Sequence, residues 1–158
     1  MTTIKVPLYP ATKALYQTLQ HGGVLNGGAC GLEWYEGGSD IEEIEDDFKG
    51  QATFCYGILG VAEADQNDRD NDIWDYSIQL EIYSNYPGRK IVAQKLQDLM
   101  VFLSQPSTWQ QLDEILLPEG FTTISMSIGP HRLNPAIRGE NGNWQSGSVN
   151  VTIKLNQM

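Results

Sequence analysis

Residues 73–84 have the sequence IWDYSIQLEIYS, in which apolar and polar side chains alternate more regularly than elsewhere in the chain. Successive side chains of a β-strand point to opposite faces, so this period gathers the apolar members on one face. These members are Trp74, Tyr76, Ile78, Leu80 and Ile82. The other face carries Asp75, Ser77, Gln79 and Glu81. The stretch therefore predicts a strand that is buried on one side and wet on the other.

Three further stretches with a similar alternation predict three more strands. They are residues 52–59, residues 121–128 and residues 149–155. A polar connection separates residues 52–59 from residues 73–84, which favours an antiparallel pair. Residues 129–143 contain Gly-Pro, Asn-Pro and several glycines, so this connection is predicted to be an exposed loop rich in turns.

Three helices are predicted where apolar residues recur every three or four positions. The first covers residues 10–20, and the third covers residues 109–116. The second begins near Arg89, after a Pro-Gly turn signal, and ends before Pro106. The resulting order of elements predicts an α+β fold, with a small, mostly antiparallel sheet and helices packed on one face.

The length of 158 residues fits a single domain, 1–158, because a typical domain holds roughly 100–200 residues. Residues 21–49 form a Gly-rich, acidic insert within it. The insert is predicted to be a long loop or hairpin. Because a structureless loop of this length is uncommon in a compact domain, it is either a functional extension or contains one short strand near Leu32 to Tyr35. Its acidic run from Asp40 to Asp47 either docks as a short amphipathic element against a basic partner or remains a charged, mobile loop.

The charge of the chain bears on its partners. Twenty acidic and ten basic residues give a formal net charge of -10. Because such a chain repels a phosphate backbone, we do not expect direct binding of nucleic acid. No stretch approaches the roughly 18–20 apolar residues that span a bilayer, and no apolar leader is visible, so we expect a soluble, intracellular protein without a membrane partner.

The sequence contains incomplete patterns of a cation site and of a catalytic site. Asp68, Asp70 and Asp72 alternate as calcium ligands can, but neither EF-hand frame fits, so this region is either a calcium loop or a solvated hairpin loop. Cys55 with His131 would be the remaining nucleophile and base, since no known catalytic motif occurs. The sequence predicts no catalytic residues, no metal ligands and no cofactor.

Opposite charges are concentrated in different parts of the sequence. The positive residues are Arg89, Lys90, Arg132 and Arg138, and the acidic insert offers Ile41, Ile44, Asp46 and Asp47. Two such patches could bind each other between copies, which generates a closed ring when the rotation permits. Scattered, solubilising charge is the alternative interpretation. These eight residues are therefore the candidate interface residues.

The unit from Ile73 to Leu103 resembles the tail-completion or tail-terminator proteins of long-tailed bacteriophages, a group that includes minor tail protein U-like and head-tail joining proteins. Tyr83-Ser84 closes the strand and Gly88-Arg89 leads into the helix, as in that family. The strands predicted at 121–128 and 149–155 complete the sheet. The insert at 21–49 is longer than the family pattern.

The resemblance implies a non-enzymatic virion component, assembled in the host cytoplasm and placed in the tail or neck. It implies a homo-oligomeric ring, a hexamer in the family, at the head-proximal end of the tail tube. The tube and the neck or head-completion proteins would be its partners. The alternatives are a calcium-dependent binding module, another small intracellular interaction domain, or a small hydrolase that uses Cys55 or His131.

Overall fold

The structure is a computed structural model that describes residues 4–20, 27–37, 41–66, 72–139 and 142–158. Its helices are α1 (Leu8–Leu19), α2 (Ile41–Asp47), α3 (Lys90–Leu103) and α4 (Pro106–Leu116). Its strands are β1 (Glu33–Glu36), β2 (Cys55–Gln66), β3 (Ile73–Ser84), β4 (Phe121–Leu133), β5 (Ile137–Gly139) and β6 (Gly142–Gln157). Each strand and helix expected from the sequence is present.

The sheet is mixed but mostly antiparallel. Its strands follow the order β1-β2-β3-β6-β4, and β5 pairs with the start of β6. β2 is antiparallel to β3, as the sequence predicted, and β6 is antiparallel to both β3 and β4. β1 is the exception, because it runs parallel to β2. The predicted α+β class is confirmed.

The main hydrophobic core lies on one face of the sheet, which we call the helical face. The apolar side chains of β3 that point to it are each at most 7% exposed: Trp74, Tyr76, Ile78, Leu80 and Ile82. Helices α1, α3 and α4 cover this face and contribute buried residues such as Leu15, Leu99 and Leu112. Each such side chain stabilises the fold by roughly 1.5–3 kcal/mol when it is fully buried.

Helix α2 lies on the opposite face. Ile44 and Phe48 form a second, smaller cluster with Tyr56 of β2, separate from the main core. Tyr56 and its neighbour Tyr83 alternate with core residues of β2 and β3, which places them on the face away from α1, α3 and α4. Helix α2, a described part of the acidic insert, therefore docks onto the sheet of its own chain.

The predicted loop at 129–143 is wrong for most of its length. β4 continues to Leu133, β5 covers Ile137–Gly139, and β6 begins at Gly142. The turn signal Gly129-Pro130 is tolerated because β4 is an edge strand, whose outward N–H groups have no ladder partner to lose. An irregularity in the β4–β6 pairing between Ile128 and His131 absorbs the remaining distortion.

Candidate interaction surfaces

Ile44 attaches α2 to the sheet. Its side chain is only 1% exposed and packs with Phe48 and Tyr56. The hydroxyl of Tyr35 adds a hydrogen bond of 2.7 Å to Asp47 Oδ2. The sequence-based assignment of Ile44 to an interface between copies is therefore corrected, because its apolar surface is already used within the subunit. The side chain of Ile41 lies outside the described part of the structure.

A cluster of aromatic side chains lies between α2 and the sheet. The ring of Tyr56 stacks on Tyr83 at 5.6 Å between centroids, and Trp144 meets it edge-on at 6.3 Å. Burial, followed by the charges of Tyr83, Glu45 and Glu81, raises the pKa of Tyr56 to about 12. On the outer side of this cluster, Asp46 and Asp47 of α2 are exposed to solvent.

The basic candidates lie at the same end of the sheet as α2. Here β3 and β4 finish, and β2 and β6 begin, so we call it the α2 end. Arg89 and Lys90 are exposed where α3 starts, and Arg132 is exposed near the end of β4. Val92 ties the start of α3 to this end, since its Cγ1 would lie 3.0 Å from a Cβ at Gly147.

The basic residues do not form one patch. Arg132 pairs with Ser148, Ser148 with Glu81, and Glu81 with Ile58, and paired residues share a face. Ile58 packs against the cluster of Ile44, Phe48 and Tyr56, on the face of the sheet that carries α2. We call this face the α2 face, and Arg132 therefore points to it. Arg89 and Lys90 belong to a helix of the other face. Arg138 lies in β5, and its side chain is outside the described part.

Charges within the subunit are left largely unneutralised. In the part of the chain that the structure describes, the ion pair found joins Lys154 Nζ to Asp75 Oδ1 at 3.9 Å, far from the α2 end. Both side chains are 41% exposed, and ion pairs that are this exposed contribute little to the stability of a fold. Arg89, Lys90 and Arg132 form no ion pair within the described residues.

One edge of the sheet is only partly covered. β1 pairs with β2 from Tyr56 to Leu59, and its own backbone is capped where Trp34 N–H donates to Gln20 Oε1 at 2.9 Å. Beyond β1, the side of β2 from Gly60 to Asp65 has no strand partner among the described residues. We call this stretch the β2 edge.

The opposite edge is β4. Asp113 of α4 accepts hydrogen bonds from the backbone N–H of Thr123, at 2.8 Å, and from its hydroxyl. From Ile124 onward, the outer side of β4 has no strand partner in the described chain. We call the stretch from Ile124 to Arg132 the β4 edge.

A groove runs beside the β4 edge. Its volume is about 490 Å³, and it is lined by Ser104, Trp109, Ile124, Ser125, Met126 and Ile128. A wider cavity of about 790 Å³ continues on the other side of Trp109, past Asp113 and Glu114. Ile124 is 51% exposed and Ile128 is 37% exposed, so apolar surface remains uncovered here.

The other candidate chemistry is not assembled in the described residues. Cys55 lies in β2 and His131 in β4, with β3 and β6 between them. Burial raises the pKa of both Cys30 and Cys55 to about 11, which disfavours the nucleophilic thiolate. No group of His, Cys, Asp or Glu suited to a metal occurs in the described part. Asp68 and Asp70 of the calcium hypothesis lie outside it.

Sequence reasoning missed the groove beside Trp109 and the β2 edge. The groove combines residues of α4 and β4, whose proximity no sequence spacing reveals. The alternation in residues 60–65 is carried by alanine, so it gives only a weak signal. None of the described helices is long and apolar enough to cross a membrane. In comparisons with family models and with curated proteins, no family model matched this chain and no curated protein matched it.

Proposed function

We propose that this protein is a non-enzymatic structural subunit of a long-tailed bacteriophage, a tail terminator that forms a ring on the tail tube. The proposal starts from the resemblance carried by Ile73 to Leu103, a unit that folds as β3, a turn and α3. It places the protein in the tail or neck of the virion, after assembly in the host cytoplasm. The tail tube and the neck proteins are its partners.

One observation supports the proposal most strongly: opposite charges occupy opposite sides of the sheet, and no ion pair joins them within the described residues. Acidic α2 lies over β1 and β2, whereas Arg132 lies on β4, at the other edge but on the same face and at the same end. Two different, complementary patches on one subunit favour head-to-tail association, which closes into a ring when the rotation permits. Such a contact needs no ligand and no catalytic group.

Arg89 and Lys90 have a different place in this proposal. They lie at the α2 end but on the helical face, so they cannot share the lateral contact of Arg132. We assign them to one of the two flat faces of the ring, which meets either the tail tube or the neck. A positive face there would attract an acidic partner.

Negative-stain microscopy of the purified protein tests the ring directly. We expect closed rings with a central hole, and we expect their number to fall strongly in an Arg132→Glu variant because like charges then face α2. Glu119→Arg is the control: this exposed residue precedes β4 at the other end of the sheet, and its reversal should leave the rings intact. Particles without a closed ring at any concentration would contradict the proposal.

A further inference from the structure

We propose that the subunits are joined by main-chain pairing, in which the β4 edge of one copy adds to the β2 edge of the next. This inference rests on the proposed function, because it names the contact that builds the ring. It commits to a second copy of this chain as the occupant of both edges. The result is one antiparallel sheet that continues from subunit to subunit.

The direction of the strands permits this contact. β2, β3, β6 and β4 are antiparallel in succession, so β2 and β4 run in opposite directions. Placing a copy beside its neighbour in the same orientation therefore brings antiparallel strands together. The helical faces then stay on the same side, and each copy leaves one edge open for the next. This is a head-to-tail contact that can close.

The two edges differ in side-chain size on the helical face. The β2 edge carries Ala62 and Ala64, which pack against the main core. The β4 edge carries Met126 and Ile128 on the same face, since they pair with Ile153 and Val151 of the core. Small residues of one copy would thus meet large residues of the next. Such pairing covers the groove beside Trp109, which a single subunit leaves open.

The edges also differ in charge. The β2 edge presents Glu63 and Asp65, and no basic residue lies between Gly60 and Asp65. The β4 edge ends in His131 and Arg132, both exposed. Glu63 pairs with Ser77 of β3, and Arg132 is linked through Ser148 to Glu81 of the same strand. Ser77 and Glu81 are four positions apart and so point to the same face, which places both charges on the α2 face. The complementary charges favour the heterologous pair over two like edges.

The fold restricts where the ladder can form. The cap of Gln20 blocks the backbone of β1, and the cap of Asp113 blocks Thr123. Pro130 has no N–H group to donate. The part of the β4 edge that can pair therefore runs from Ile124 to Gly129. Caps and prolines of this kind prevent indiscriminate edge pairing, so the short open segment selects one register.

Cross-linking of introduced cysteines tests the contact. Val61 is 76% exposed on the β2 edge, and Ile128 lies on the β4 edge. A protein that carries both Val61→Cys and Ile128→Cys, treated with a short bismaleimide, should give a ladder of covalent oligomers that ends at the ring. Each single variant alone should give no ladder, and a mixture of the two should give dimers only. The wild type is the control for the native thiols.

Each alternative result has one meaning. Cross-linking of the Ile128→Cys variant alone would show that two β4 edges meet, and it would overturn the inference. Closed rings from the double variant without covalent oligomers would also overturn it, while the proposed function stands. Covalent chains that never close would support the edge contact but contradict the ring. A double variant that stays monomeric, although its circular dichroism matches the wild type, would overturn both.

A charge exchange provides a second readout that does not depend on introduced thiols. Asp46→Arg and Arg132→Glu should each weaken association at least tenfold in the concentration needed for assembly, because Arg132 lies beyond the paired segment of β4 and would face the exposed Asp46 of α2 in the next copy. The double variant should recover most of the loss, because the pair is restored with reversed sign. Two losses that simply add would overturn the assignment of this pair.

Discussion

Gly57 and Trp34 show how closely β1 approaches its neighbour β2. The indole of Trp34 is fully buried, and its Nε1 donates to the carbonyl of Ala29 at 3.1 Å. Gly57 pairs with Trp34, and a Cβ at this glycine would lie 2.4 Å from the ring. Because Gly57 has no side chain, the indole of Trp34 fits over it, and β1 can pair with β2.

We predict that Gly57→Ala destabilises the protein by about 1–3 kcal/mol, the usual cost of forcing extra volume into a packed site. Urea denaturation measures this loss in the free energy of unfolding. The exposed Thr53→Ala is the control and should stay within about 0.5 kcal/mol of the wild type. A Gly57→Ala protein as stable as the wild type would show that Trp34 can move aside.

The two thiols predict how stability depends on pH. Burial raises the pKa of Cys30 and Cys55 from 9.0 to about 11. Above pH 9 the unfolded chain loses these protons while the folded chain keeps them, so the free energy of unfolding should fall as the pH rises from 9 to about 11. Urea denaturation from neutral to alkaline pH measures the decline. A Cys55→Ala variant should decline less steeply, and equal slopes would contradict the burial of this thiol.

At the scale of elements, α2 is the part of the chain that depends most on a single side chain. The helix has seven residues, too few to be stable alone in water. Its attachment rests on Ile44 and Phe48, with the hydrogen bond between Tyr35 and Asp47 beside them. We therefore expect α2 to leave the sheet before the main core unfolds.

We predict that Ile44→Ala releases α2 and leaves the rest of the fold intact. Removing a buried Ile side chain costs about 2–5 kcal/mol, more than a helix of this size can sustain. Hydrogen exchange should accelerate in residues 41–48 and change little in β3. Glu43→Ala, at an exposed position of the same helix, should leave the exchange unchanged. Protection of residues 41–48 in Ile44→Ala would contradict this account of the attachment.

The elements also show what sequence patterns can and cannot predict. Strand β3 follows the pattern closely because one face is buried along its whole length and the other is only partly buried. The sequence did not predict the end of β4, because Pro130 and the glycines near it are typical of turns. An edge strand nevertheless tolerates them. The sequence could not decide whether residues 40–47 form a docked element or a loop. The aromatic cluster that holds α2 comes from β1, β2, β3 and β6, which are distant in the sequence.

At the scale of the whole molecule, the separation of charge could be anticipated, but its geometry could not. The sequence identified Arg89, Lys90 and Arg132 as basic sites on an acidic chain. Which of them share a face depends on strand register, and that separates Arg132 from the two residues of α3. The sequence also did not predict which part of each edge stays open, because this depends on β1 being four residues long.

Above all, we propose that the subunits associate head to tail into a ring. Light scattering coupled to size exclusion, over a series of protein concentrations, tests it most directly. We predict a discrete species of about six chains of 17.6 kDa, or about 106 kDa, whose amount falls as salt screens the charged edges. A mass of a single chain at every concentration and at low salt would contradict the claim.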